Sequence, residues 1–162
     1  MSRIAVYVDC SNLYYTVKET HKGSPNYKKY IEYIKAYMGD PVIMKAFGAQ
    51  KENEANKFIN ALRSIGFTTK WKRAVVYENN VPQNTRPSCT ADWDIGIVTD
   101  IYRNIDEFDT LILGSGDGDF VDMVELLRDL GKSVVIFACK PSHKLKKKAS
   151  TCVEITSDMV IG

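Results

Sequence analysis

The sequence predicts an α/β fold, a three-layer αβα sandwich with a mainly parallel central sheet. Two observations lead there. Short β-branched and apolar runs alternate along almost the whole chain with segments of helical period, the order that βαβ units impose. The first run, Ile4-Ala5-Val6-Tyr7-Val8, is continuously apolar, as a strand covered on both faces is. With 162 residues, 44% hydrophobic and 26% charged, the chain fits a single domain over residues 1–162 with a sizeable core.

The elements follow in order. Arg3–Val8 is the first strand and ends at Asp9. Residues 12–18 read as a helix with Ser11 as N-cap. Gly23-Ser24-Pro25-Asn26 is a turn cluster, and Tyr27–Met38 has apolar residues at 27, 30, 31, 34, 37 and 38, a helical period. Val42–Phe47 is a second strand. Glu52–Ile65 is an amphipathic helix with Ala55, Phe58, Ile59, Leu62 and Ile65 on one stripe, closed by Gly66. Phe67–Lys72 forms a third strand, and Glu78–Thr90, rich in Asn and Pro, is a loop. Ala91–Tyr102 is helical, Phe108–Leu113 a strand, Asp119–Leu130 a helix capped by Gly131, and Ser133–Phe137 the next strand. A short helix at Lys144–Ala149 and a last strand at Cys152–Ile155 complete the pattern.

Composition removes several function classes. Apolar runs are a handful of residues long, against about 20 needed to span a bilayer. Only five apolar residues separate Met1-Ser2-Arg3 from Asp9, so no signal peptide is expected and the expected location is cytoplasmic, without membrane contact. Cys10, Cys89, Cys139 and Cys152 form no C-x-x-C pair, and the histidines are His21 and His143 alone. Neither a zinc site nor a disulfide framework is expected. Charge is uneven although its net value is +2. Residues 18–73 carry twelve Lys/Arg against five acids, residues 90–130 eleven acids against two Arg, and residues 131–162 six Lys against two acids. This fits a basic surface for a polyanion around an acidic centre, and equally a solvated surface with clustered charge.

The acids fall where such a sheet binds ligands, beyond the carboxyl ends of its strands. The first strand runs into Asp9-Cys10-Ser11-Asn12, and Leu111-Ile112-Leu113 runs into Gly114-Ser115-Gly116-Asp117-Gly118-Asp119. Asp is also a common turn and cap residue. Helical spacing adds Asp94, on the face of Ile97, Val98 and Ile101, whereas Asp92 and Asp100 are expected to face solvent. A carboxylate opening a core-facing stripe requires a partner or a cation. Asp9, Asp94, Asp117 and Asp119 are therefore expected at one edge of the sheet. An all-oxygen set suits Mg2+ or Mn2+, which can activate water and neutralise phosphoryl charge. Asp117-Gly118-Asp119 does not continue as a calcium loop, since position 121 is Val and position 128 is Arg. Nor is the phosphatase pattern Asp-x-Asp met after the first strand, since position 11 is Ser.

These residues resemble the NYN domain, the LabA-like group within the PIN-like nuclease superfamily. The carriers are Val6-Tyr7-Val8-Asp9-Cys10-Ser11-Asn12-Leu13, the segment from Asp94 to Asp100, and Leu111–Phe120 with its Ser-Gly-Asp-x-Asp-Phe core. The helix, Gly and strand order around Leu126–Lys132 also matches. The resemblance implies a PIN-like fold and metal-dependent endoribonuclease activity with Mg2+ or Mn2+. It assigns catalytic and metal-ligand roles to Asp9, Asp94, Asp117 and Asp119. It gives Asn12 a polar contact with substrate or ligand, and Ser115 the shaping of the acidic loop. Relatives often carry Lys-Gly shortly before the mid-chain Asp; here the stretch is Ala91-Asp92-Trp93-Asp94.

The expected substrate is RNA, single-stranded, approaching over a basic rim. The rim candidates are Lys70, Lys72 and Arg73, with Lys144, Lys146, Lys147 and Lys148. Trp71, Tyr14 and Tyr15 are read either as stacking platforms for unpaired bases or as core residues, and the lysine run either as part of the rim or as a solvated helical face. The alternative to a nuclease is a non-catalytic RNA-binding or adaptor module that retains the nuclease fold.

Overall fold

The computed structural model describes residues 2–50, 55–73 and 93–162. Its centre is a six-stranded sheet built from β1 (Ile4–Asp9), β3 (Pro41–Gln50), β4 (Thr68–Arg73), β5 (Thr110–Gly114), β6 (Ser133–Ala138) and β7 (Thr151–Glu154). Their order is β4-β3-β1-β5-β6-β7, with every neighbouring pair parallel. The helices are α1 (Cys10–His21), α2 (Tyr27–Tyr37), α3 (Ala55–Ile65), α4 (Asp94–Arg103), α5 (Val121–Asp129) and α6 (His143–Lys148). The expected α/β class with a parallel, helix-flanked sheet is the observed one.

The order reverses at β1. The chain moves outward from β1 to β3 and β4, then returns to the other side of β1 for β5, β6 and β7. Right-handed crossovers then place α1 to α3 on one face and α4 to α6 on the other. Side chains agree: Tyr30 of α2 stacks on Phe137 with centroids 4.0 Å apart, and on the opposite face Tyr7 donates from its hydroxyl to Asp100 of α4. Every residue of β1 is buried. Such a reversal leaves a crevice at the carboxyl ends of the two central strands, here Asp9 and Gly114.

Several elements differ from expectation. α1 starts at Cys10, and its N-cap is Asp9 rather than Ser11, because the Asp9 carboxylate accepts from Asn12 N at 3.2 Å. Ser24–Pro25, read as part of a turn, is a two-residue strand, β2, antiparallel to β8 (Val160–Ile161). β3 continues past Phe47, since Gly48, Ala49 and Gln50 pair with Trp71, Lys72 and Arg73. The helix expected from Asp119 begins as a 3₁₀ turn over Gly118–Phe120. The expected loop at 78–90 and Asp92 lie outside the described residues, as do the side chains of Lys72 and Arg73. Among the described residues no helix is long and apolar enough to cross a membrane.

The largest correction concerns Asp100. It is 5% exposed, not solvent-facing. Its carboxylate accepts at 2.7 Å from Lys45 Nζ, Lys70 Nζ and the Tyr7 hydroxyl, and at 3.0 Å from Asn104 Nδ2. The parallel registers explain the convergence. Tyr7 pairs with Lys45, and Lys70 pairs with Phe47 two positions on, so all four side chains share the sheet face that α4 covers. A carboxylate on that helix face neutralises the half-buried Lys45 ammonium and draws in the more exposed Lys70.

Candidate functional site

Two strands and one helix deliver acids to the crevice. β1 ends in Asp9, which is 8% exposed and fixed by its capping bond to α1. Three residues on, Asn12 Oδ1 accepts from Gly116 N at 3.1 Å, so α1 grips the loop after β5. From the other side, Ser142 N donates to Gly116 O at 2.9 Å. A Cβ on Gly116 would meet Pro141 Cα at 2.8 Å, so only glycine allows this close passage. The loop is further braced by Asp117 N on Ser115 Oγ at 3.3 Å and by Asp119 N on Asp117 Oδ1 at 2.9 Å. The clamp turns Asp117 and Asp119 toward Asp94, the first residue of α4.

Carboxylate oxygens of Asp94, Asp117 and Asp119 all lie within 4.8 Å of one another. Asp94 and Asp117 are half-buried and Asp119 is exposed. Asp9 lines the same cleft of about 290 Å³, together with Asn12, Tyr15 and Trp93. Like charges at this spacing repel by about 3 kcal/mol per pair at an effective dielectric of ~20, and by about 1 kcal/mol where water screens them fully. Among the described residues no Lys or Arg forms an ion pair with Asp117 or Asp119. Three hard oxygen donors without His or Cys fit Mg2+ or Mn2+ and would suit zinc poorly.

Cys10 follows Asp9 directly and is not a nucleophile. Burial pushes its thiol up to about 12, and the Asp9 charge adds to this, outweighing hydrogen bonding with Tyr27 and the Phe47 backbone.

The remaining predicted residues scatter. Ser115 is fully buried beneath the loop, so it can shape the loop but cannot touch substrate. Asn12 spends its side-chain oxygen on Gly116. Lys144 lies over the acidic loop, since a Cβ on Gly118 would sit 2.6 Å from its Cε. Lys146 and Lys148 extend to Glu154 and Glu125 at 3.9 and 3.6 Å. Lys70 is drawn inward to Asp100 and leaves the proposed rim. Trp71 packs edge-on against Phe58 and over Gly48, so it is no stacking platform. Tyr14 and Tyr15 are exposed, by 43% and 60%.

Sequence reasoning passed over Trp93. Its indole N–H donates to Gly48 O at 2.8 Å and its ring meets Phe47 edge-on, tying the start of α4 to the end of β3 beside Asp94. The available signal was Gly96. Glycine inside a helix costs about 1 kcal/mol against Ala, and a Cβ there would lie 2.6 Å from the Trp93 ring.

A parallel sheet with its order reversed at β1, and acids from β1, β5 and α4 in the crevice, defines a PIN-like α/β domain. The chain belongs to the NYN domain family, which includes nucleases: the family model matches residues 3–159. The low amplitude and bright protein LabA of Synechococcus elongatus is 30% identical over 135 residues, covering 78% of this chain and 68% of LabA. The crystal structure of a Vibrio parahaemolyticus protein of unknown function is similar with a TM-score of 0.81 at 27% identity, covering 99% of this chain and 96% of that one.

Proposed function

We propose that the protein is a Mg2+- or Mn2+-dependent endoribonuclease that hydrolyses phosphodiesters of single-stranded RNA at the carboxylate cleft. The observation that carries this reading is the grouping of Asp94, Asp117 and Asp119 within 4.8 Å in a cleft that Asp9 also lines. Asp94, Asp117 and Asp119 would hold the cation, with Asp9 completing the acidic wall. When bound, the cation offsets phosphate charge and makes water a better nucleophile at neutral pH. The protein's own contribution is positioning. Asn12 and Ser142 hold the loop that carries two acids, Trp93 seats the helix that carries the third, and Lys144 beside Gly118 supplies positive charge near an incoming phosphate. Exposed Tyr14 and Tyr15 offer faces to unpaired bases.

The test is single-turnover cleavage of end-labelled unstructured RNA in Mn2+, Mg2+ or EDTA, with thermal melting in the same buffers. Wild type should cleave only with metal and melt at a higher temperature in Mn2+ than in EDTA, because the cation binds the folded state alone. Asp117→Asn and Asp9→Asn should abolish cleavage with the fold retained, since Asn keeps the shape and, at position 9, also caps the helix. Wild-type cleavage by folded Asp117→Asn, or an undiminished Mn2+ shift in that variant, refutes the mechanism. RNA binding without cleavage under every metal condition would establish the adaptor alternative instead.

A further inference from the structure

α1 carries a second feature beside the acidic cleft. Tyr15 lines the cleft with Asn12 on one side. On its other side it lines a separate open hollow of about 490 Å³ with Lys18, Glu19 and Lys22. The two cavities therefore adjoin across a single ring.

Tyr15 and Lys18 stand at i and i+3 on one face of α1, and Lys22, just past the end of the helix, is its left-handed C-cap, with its N–H on Lys18 O. Tyr15 is held by an edge contact to Tyr14, centroids 5.3 Å apart, yet remains 60% exposed. Lys18 Nζ lies 5.6 Å from the centre of the Tyr14 ring. Among the described residues Lys18 and Lys22 enter no ion pair, whereas Lys45 and Lys70 are committed to Asp100, Lys146 to Glu154 and Lys148 to Glu125. The lysines on the track that leaves the cleft along α1 thus keep their charge for a ligand.

We propose that this hollow is a nucleotide subsite for single-stranded nucleic acid, adjoining the phosphodiester held in the cleft. The assignment of the cleft itself rests on the functional reading above. Tyr15 takes the face of an unpaired base, and Lys18 and Lys22 face the phosphate that follows. An acidic cleft cannot attract the flanking phosphates of a polyanion, so positive charge beside it is what lets the strand continue. A base that stacks on Tyr15 must be unpaired, and this selects single strands over duplex. Glu19, within the same hollow, lowers the net charge there and keeps purely electrostatic binding weak.

The test uses the full chain and fluorescence anisotropy with labelled oligo(U), oligo(dT) and a duplex RNA, in Mg2+ and again in EDTA. Tyr15→Ala should weaken single-strand binding roughly tenfold, as loss of one base–aromatic stack does. Lys18→Gln with Lys22→Gln should weaken it too and flatten its salt dependence, by a slope of about 1 per lysine. Circular dichroism should be unchanged, because these side chains are exposed. Equal effects on both oligomers identify any polynucleotide single strand as the ligand, and an effect on oligo(U) alone identifies RNA. Wild-type affinity in both variants, tighter binding of duplex than of single strand, or no binding by wild type overturns the subsite. The two proposals fail separately. Metal-dependent cleavage with unchanged KM in Tyr15→Ala removes the subsite and leaves the nuclease, whereas weakened binding in Tyr15→Ala by a protein that never cleaves removes the nuclease and leaves the subsite.

Discussion

Replacing Asp100 by Asn should cost the fold more than replacing any exposed acid, and the cost should fade in acid. Burial pushes the Asp100 carboxyl up, but hydrogen bonds from Lys45, Lys70 and Tyr7, with the Lys45 charge, pull it further down, to about 2 from an ordinary 3.8. That depression corresponds to about 2.5 kcal/mol of stability at neutral pH. The sign follows from linkage. A carboxyl with a lowered folded pKa contributes fully above its unfolded value and loses the contribution as pH falls through the folded one. The window is therefore from about pH 4 down to about pH 2. Lys70 is partly solvated, its side chain 44% exposed, and recovers water when its partner loses charge, whereas Lys45 at 21% recovers less. Asp100→Asn should thus destabilise by about 2 kcal/mol, lowering Tm by roughly 4–8 °C in a chain of this length. Urea unfolding of both proteins across pH is the assay. The gap between wild type and variant should be largest at neutral pH and narrow steadily below about pH 4. A gap under about 0.5 kcal/mol at neutral pH, or one that stays constant down to about pH 2, would refute the ion-pair account.

Three further outcomes follow from the loop and its clamp. Asn12→Ala removes the acceptor of Gly116 N and should cost about 1 kcal/mol in urea unfolding while weakening Mn2+ binding several-fold by calorimetry. Gly116→Ala forces a Cβ to 2.8 Å from the Pro141 backbone and should cost about 1–3 kcal/mol by the same unfolding measurement. Gly118→Ala should cost less, since its Cβ would meet side chains rather than backbone, the flexible Lys144 Cε at 2.6 Å and the Ser142 hydroxyl that caps α6 at 2.9 Å.

The strands and most helices were legible because each buries a recognisable stripe. Leu111–Leu113 and Val134–Phe137 are apolar runs, and Leu62 anchors the amphipathic face of α3. β3 runs past its legible part, since Gly48-Ala49-Gln50 has no apolar signature and pairing with β4 alone extends the strand. The four acids were placed at the correct sheet edge by strand ends and helical period. Which three would approach within 4.8 Å was not readable. That depends on Asn12 and Ser142 gripping Gly116, and both contacts are remote in sequence. The burial of Asp100 is not legible in helical spacing, because a single apolar stripe marks only part of the covered face of α4. The missed signal lay in the strands. Lys45 sits between Met44 and Ala46, and Lys70 within β4, so each put a cation on a face that a helix had to cover. Such a helix needs an acid, and Asp100 is it.

The two acidic features of α4 explain each other energetically. Asp94 opens the helix in the cleft, and Asp100 lies six residues on, about 9 Å along the axis. Repulsion from Asp117 and Asp119 pushes the start of the helix away from the loop with between about 1 and 3 kcal/mol per pair. Against this, the Asp100 carboxylate holds the same helix to β3 and β4 through two lysines, and the Trp93 indole fixes its first turn to Gly48. The anchor contributes about 2–3 kcal/mol, of the same order as the strain it opposes. An acid whose charge is cancelled by its own neighbours is structural. Asp117, whose carboxylate accepts from Asp119 N, and Asp119 have no ammonium or guanidinium partner among the described residues, which under the proposed function leaves their charge for a cation. α4 joins the two: the helix that Asp100 ties to β3 and β4 is the one that carries Asp94 to within 4.8 Å of Asp117 and Asp119.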